Sequence, residues 1–289
     1  MGVYDSPFRG SRAVAARQLT QHQLRHDCTR IYRDVYVGNR VPVTAAVRAR
    51  AAWLFAGPNC VLAGFSAAAL HGTKWIDDCT PAEVVRHGHW RAPAGMRCHD
   101  YRLDPDEVTV VEGVPVTTAA RTGFDLGRRL PRIAATTALD ALCNATGLEP
   151  KQIADVADRH PGARGVRNLR RHLIDVDGGA QSPPETHTRL AMVDAGLPRP
   201  ATQIPIAEDD GFVFAHSDIG WPQWRVLVEY DGEHHWTDRR QRAWDIERLA
   251  RIEALGWTVV RVGAELLYRR RAVLVERVTD ALRGAGAPV

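Results

Sequence analysis

Four carboxylates in the second half of the chain stand where a divalent cation could be gathered: Glu185, Asp218, Glu229 and Asp231. Glu229 and Asp231 lie two apart in the apolar run RVLVEYDG, so on a strand they share a face. Asp218 closes the preceding strand-like run, FVFAHSDIGW, with room for a tight hairpin between it and Glu229. Converging carboxylates repel one another, and burying them is costly unless a proton or a cation offsets the charge. Hard divalent ions such as Mg²⁺ or Mn²⁺ favour these oxygen ligands. An ion so held can activate water and neutralise charge on a phosphodiester. His234 and His235 follow the strand directly, where an imidazole can accept or donate a proton. The next segment carries Arg239, Arg240, Arg242, Arg248 and Arg251, suited to phosphate contact.

Ordered elements must position these groups. PPETHTRLAMVDAGLP predicts a helix opened by Pro and Glu185 and stopped at Gly196. TQIPIAED, FVFAHSDIGW and RVLVEYDG predict three strands. DRRQRAWDIERLARIEALG predicts a long amphipathic helix with Trp244, Leu249, Ile252 and Leu255 on one face. WTVVRVGAELL predicts a last strand, followed by a helix to about residue 283. The order α-β-β-β-α-β-α predicts a three-layer α/β domain over 183–289, behind a Gly/Ser/Pro-rich linker at 176–182.

Two further regions precede the linker. Residues 1–75 are rich in Ala and Arg, with Ala13, Ala16, Leu19 and Leu24 on one helical face and a break at His26–Asp27. RIYRDVYVG predicts a strand or β-wing. TAAVRARAAWLFA predicts a helix capped by Thr44, and GFSAAALHG another, with Ser66 as its cap and Gly72 at its stop. Residues 76–175 predict an α+β region. Its strands are AEVVRHG and GMRCHDYRL, with a hairpin turned at Glu112–Gly113, and helices follow.

Composition narrows the function classes. The 289 residues are 45% hydrophobic and 25% charged, which excludes disorder over the whole chain. No apolar run nears the roughly 18 residues of a membrane span, so no membrane partner is expected. The opening residues hold no apolar core of a secretory signal. The five cysteines all fall in the first half without a CxxC pair, as expected of a reduced, cytoplasmic chain. A net charge of +4 permits a polyanionic partner without demanding one. Lys74 and Lys151 are the only lysines, so no ammonium is available after residue 151.

SPPETHTRLAMVDAGLPRP, SDIGWPQWRVLVEYDGEHHW and DIERLARIEALGWTVVRV together resemble the small endonuclease domain of very-short-patch-repair enzymes. That group belongs to the PD-(D/E)XK nuclease superfamily, and the likeness covers about residues 181–283. It implies a restriction-endonuclease-like mixed sheet flanked by helices, with metal on the acidic cluster. Asp218 matches the motif aspartate, Glu229 the (D/E) of (D/E)XK, and Glu185 the helix acid. Asp231 stands where the superfamily has lysine. The short-patch-repair branch also lacks that lysine and uses a nearby histidine, which makes His235 the first candidate for the acid/base and His234 the second. ARQLTQHQLRHDCTRIYRDVYVGN, GFSAAALHG and GVPVTTAARTGFDLGRR resemble the N-terminal region of AbiEi-type antitoxins, over about residues 11–128. This second likeness implies a winged helix, with Arg25, Arg30 and Arg33 near the DNA backbone. It also implies a partner toxin of the nucleotidyltransferase kind. Asp34 replaces the usual Gly of the motif "RGVY", which would weaken phosphate attraction there.

Two functions follow as expectations. The first is a Mg²⁺- or Mn²⁺-dependent endonuclease that hydrolyses phosphodiester bonds in DNA, in a toxin–antitoxin, phage-defence or repair setting. Asp218, Glu229 and Asp231 would hold the metal, Glu185 would complete the outer shell, His235 would move protons, and Arg239 and Arg248 would contact phosphate. The alternative is a non-catalytic DNA-binding regulator or antitoxin that carries an inert nuclease fold.

Overall fold

The computed structural model describes residues 4–88, 90–232 and 239–289, with the side chains of 239–243 excepted. It is a mixed α/β protein of two compact units, Met1–Ile174 and Asp175–Val289.

The first unit opens with β1 (Phe8–Arg9), α1 (Gly10–Ala15), α2 (Gln21–His26), β2 (Cys28–Tyr32) and β3 (Val35–Gly38). The strands form an antiparallel sheet in the order β1-β3-β2. The single helical face expected over Ala13–Leu24 is instead two short helices. Thr20 parts them: its hydroxyl accepts from Gln23 N while the Gln23 side chain accepts from Thr20 N, which starts a new helix at Gln21. Ala16 is exposed between them. Asp34 turns the β2–β3 hairpin at φ +61°. Its carboxylate accepts from Ser11 N at 2.7 Å and Ser11 Oγ at 2.6 Å. The position thus serves the start of α1.

Next come α3 (Ala45–Ala56), β4 (Val61–Leu62), α4 (Gly64–Leu70), β5 (Ala82–Val85), β6 (Met96–His99), β7 (Val108–Val111) and β8 (Val114–Thr117), which build a five-stranded sheet in the order β6-β5-β4-β8-β7. The expected turn at Glu112–Gly113 is present, with both residues at positive φ. Ser66 is no helix cap; its hydroxyl accepts from Glu83 N at 2.8 Å and ties α4 to β5. Because β4 pairs with both β5 and β8, one core takes in Tyr32, Val35, Ala52, Leu62, Val84 and Val116. That core crosses the compositional division drawn at 75/76. The unit closes with α5 (Ala119–Arg129), α6 (Arg132–Thr146), α7 (Pro150–Arg159) and α8 (Val166–His172).

In the second unit, residues 176–182 fold against a strand instead of running free. Asp177 Oδ1 accepts from Gly179 N and from Thr202 Oγ1, each at 2.9 Å. The elements are α9 (Pro183–Asp194), β9 (Ala201–Ala207), β10 (Val213–Trp221), β11 (Val226–Tyr230), α10 (Arg239–Ala254), β12 (Thr258–Val262), α11 (Ala264–Tyr268) and α12 (Arg271–Gly284). The sheet order is β12-β11-β10-β9, with β11 and β12 parallel and the other pairs antiparallel.

The continuous apolar run of β11 suits a strand buried on both faces. Val226 and Val228 pack with Trp221, Met192 of α9 and Leu274 and Val278 of α12. Leu227 points the other way, against Ile252 of α10. Alternation therefore sends Glu229 to the α10 side. Gly220 permits the close approach of β10 to β11, since a Cβ there would lie 2.4 Å from Val226 O.

Candidate functional site

The cleft between the sheet and α10 is the candidate site, with a volume of about 300 Å³. Ala215, His216, Asp218, Glu229, Tyr230, Trp244, Asp245 and Arg248 line it. β10 and β11 supply its floor. The antiparallel register pairs Ile219 with Val228, so Asp218 falls opposite Glu229 one step further along. Directly opposed side chains on such strands have Cβ atoms about 5 Å apart. Asp218 does not end its strand, as expected from sequence, but lies inside β10, which runs on to Trp221.

Each carboxylate has its own environment. Asp218 is half-buried and its Oδ2 accepts from Tyr230 N at 3.1 Å. Burial pushes its carboxyl up to about 6, and the Glu185 and Glu229 charges push the same way. The Tyr230 bond and the Arg248 charge oppose the rise without cancelling it. Glu229 is buried and held by Arg248 through two bonds, Nη1 to Oε1 at 3.0 Å and Nη2 to Oε2 at 2.7 Å. Glu185 is buried in the first turn of α9. Gln181 N donates to its Oε2 at 2.7 Å and Ser182 Oγ to its Oε1 at 2.8 Å. Glu185 therefore reaches Asp218 through its field, while its oxygens serve the helix start.

Asp231 departs from the expected arrangement. It follows the end of β11, where its N–H donates to Val262 O and its carboxylate pairs with Arg261 of β12. It does not line the cleft. Arg248 also differs in role: it is the partner of Glu229 instead of a free phosphate ligand. His235 lies outside the described residues, as does the side chain of Arg239, whose backbone begins α10. Sequence reasoning missed His216. Its signal was its spacing, two residues before Asp218 on one strand, which puts both on the same face.

In the first unit, Arg25 on α2, Arg30 on β2 and Arg33 in the β2–β3 turn are all exposed. Among the described residues none of the three has an ion pair.

A second acidic cluster lies in the first unit. Among the described residues, Asp104, Glu107 and His160 are the one group of three whose ligand atoms all fall within 4.8 Å, a set that could hold a metal ion. Glu107 is fully buried there, with His160 Nε2 at 2.6 Å from Oε1 and Arg121 paired to Oε2. Arg121 also donates to Asp125 Oδ2 at 3.1 Å, and Tyr101 Oη donates to the same oxygen at 2.7 Å. Arg121 already pairs with Glu107, as Arg248 does with Glu229, so a metal ion would have to displace or share with a guanidinium at either cluster.

No family model matches the chain, and no solved structure matches it. Two relatives from Mycobacterium tuberculosis do: uncharacterized protein MT2308 of strain CDC 1551 / Oshkosh and uncharacterized protein Rv2248 of strain H37Rv. Each is 30% identical over 237 residues, 81% of this chain and 86% of the relative. That length exceeds the whole first unit, so the likeness extends into the second. This chain belongs to the same family as those two mycobacterial proteins.

Proposed function

We propose that the second unit is a metal-dependent nuclease domain that hydrolyses phosphodiester bonds in DNA, carried behind a DNA-binding first unit. One observation carries this reading: the register of β10 and β11 sets Asp218 opposite Glu229, and both line one open cleft. Burial and the charges of Glu185 and Glu229 push the Asp218 carboxyl up, a strain that a bound cation relieves. The donors are hard oxygens at an open cleft, which fits Mg²⁺ or Mn²⁺ held by Asp218 and Glu229. When bound, the ion supplies charge neutralisation and a more acidic water. Tyr230 N orients Asp218, and the Ser182 and Gln181 bonds fix Glu185 behind it. Arg248 meets the incoming phosphate as it exchanges partners from Glu229. The mixed sheet with helices on both faces supports the restriction-endonuclease-like reading. In the first unit, the order β1-α1-α2-β2-β3 and the exposed Arg25, Arg30 and Arg33 support a winged helix on DNA.

A specific observation favours the alternative, a non-catalytic regulator or antitoxin. Both oxygens of Glu229 are already taken by Arg248, so a guanidinium stands in the place of a metal. Incubation of supercoiled plasmid with the protein and Mg²⁺ or Mn²⁺ separates the two readings. Nicking that is lost in Asp218→Ala supports the nuclease. Salt-dependent DNA binding without nicking in either metal supports the regulator.

A further inference from the structure

By spacing, Trp244 shares one face of α10 with Leu249, Ile252 and Leu255. Ile252 is fully buried and Leu255 packs beside it, but Trp244 is 57% exposed and lines the cleft. It lies one turn before Arg248 on the same face of α10. The cleft thus presents an open indole beside a guanidinium, facing the two carboxylates of the sheet.

We propose that Trp244 is a stacking platform for one unpaired nucleobase, so that the cleft takes single-stranded or flipped-out DNA. This rests on the nucleic-acid reading of the second unit. The chemistry is complementary along the helix: the indole offers a π-face to a base, and Arg248 offers donors to the phosphate attached to it. Stacking selects the strand state: a base offers its π-face to an indole only once it has left the duplex stack. The open cleft, of about 300 Å³, has room for a single nucleotide. Stacking is tolerant of base identity, since every base has a π-face. The site therefore selects for unpaired structure and not for sequence.

The test uses the full chain carrying Asp218→Asn, which removes one repelling charge and prevents cutting. Binding is followed by fluorescence anisotropy with a short oligothymidylate and with an abasic deoxyribose oligomer of the same length and charge. The Asp218→Asn protein should prefer the oligothymidylate by about 5- to 150-fold, the equivalent of ~1–3 kcal/mol per stacked base. Adding Trp244→Ala should bring the two oligomers to the same affinity, and Trp244→Phe should keep part of the preference. Circular dichroism checks the fold of each variant. A preference that survives Trp244→Ala, or none in the Asp218→Asn protein, overturns the stacking role while the DNA reading stands. Failure to bind either oligomer overturns both.

Discussion

Replacing Asp218 by Asn removes a charge that the fold holds at a cost. A carboxyl of this type titrates near 3.8 in water, and in the cleft it is pushed up to about 6, first by burial and then by Glu185 and Glu229. At about 1.4 kcal/mol per pH unit, a difference of about two corresponds to ~3 kcal/mol. Asp218 keeps some contact with water, so about 1–3 kcal/mol is expected after screening. The folded state binds the proton more tightly than the unfolded state. The stability it contributes is complete below about pH 4 and is lost as the pH rises through about 6. Asn keeps an oxygen for the Tyr230 N–H but has no charge to lose. At pH 7.5 the second unit of Asp218→Asn should therefore be more stable than the parent by about 1–3 kcal/mol, a melting shift on the order of 4–8 °C per kcal/mol. At pH 4 the two should agree within about 0.5 kcal/mol. Scanning calorimetry across this pH range reads both. An equal gap at both pH values, or a variant less stable at pH 7.5, would refute the idea that Asp218 ionises against its neighbours.

Three other outcomes follow from the geometry. Arg248→Met strands the buried Glu229 carboxylate, so it should cost about 3 kcal/mol in urea unfolding without metal. It should also tighten Mn²⁺ binding in calorimetric titration, because the competing cation is gone; weaker binding would count against competition. Asp34→Ala loses the Ser11 bonds and places a Cβ residue without compensation at φ +61°, for a combined cost of about 2 kcal/mol in chemical denaturation. Arg33→Ala should weaken binding to duplexes of differing sequence alike and reduce the salt slope by about 1, as read by anisotropy over a salt series. An unchanged slope would remove Arg33 from the DNA interface.

Much of the second unit was legible because local signals agreed. Pro183 and Gly196 bracket α9, the apolar run VLVEY marks a strand covered on both faces, and Asp218 and Glu229 reach one cleft. What was hidden depended on distant partners. Nothing in RVLVEYDG shows that the chain leaves the sheet after Tyr230 and gives Asp231 to Arg261. Nor does spacing show that Arg248 would answer Glu229, since the two lie on separate elements. Trp244 misled because helical periodicity gives a face but not where along the helix the core ends. In the first unit the Glu112–Gly113 turn was readable from local chemistry. The break at Thr20 turned on a reciprocal bond with Gln23 that the apolar pattern overran.

A nuclease site in the second unit requires Asp218 and Glu229 to share a divalent cation. Anomalous diffraction from crystals soaked in Mn²⁺ reads this directly. A shared ion gives a manganese peak in the cleft within ligand distance of both carboxylates, with Arg248 released from Glu229. A cleft without manganese while Arg248 still bridges Glu229, or a peak confined to Asp104, Glu107 and His160, would contradict it.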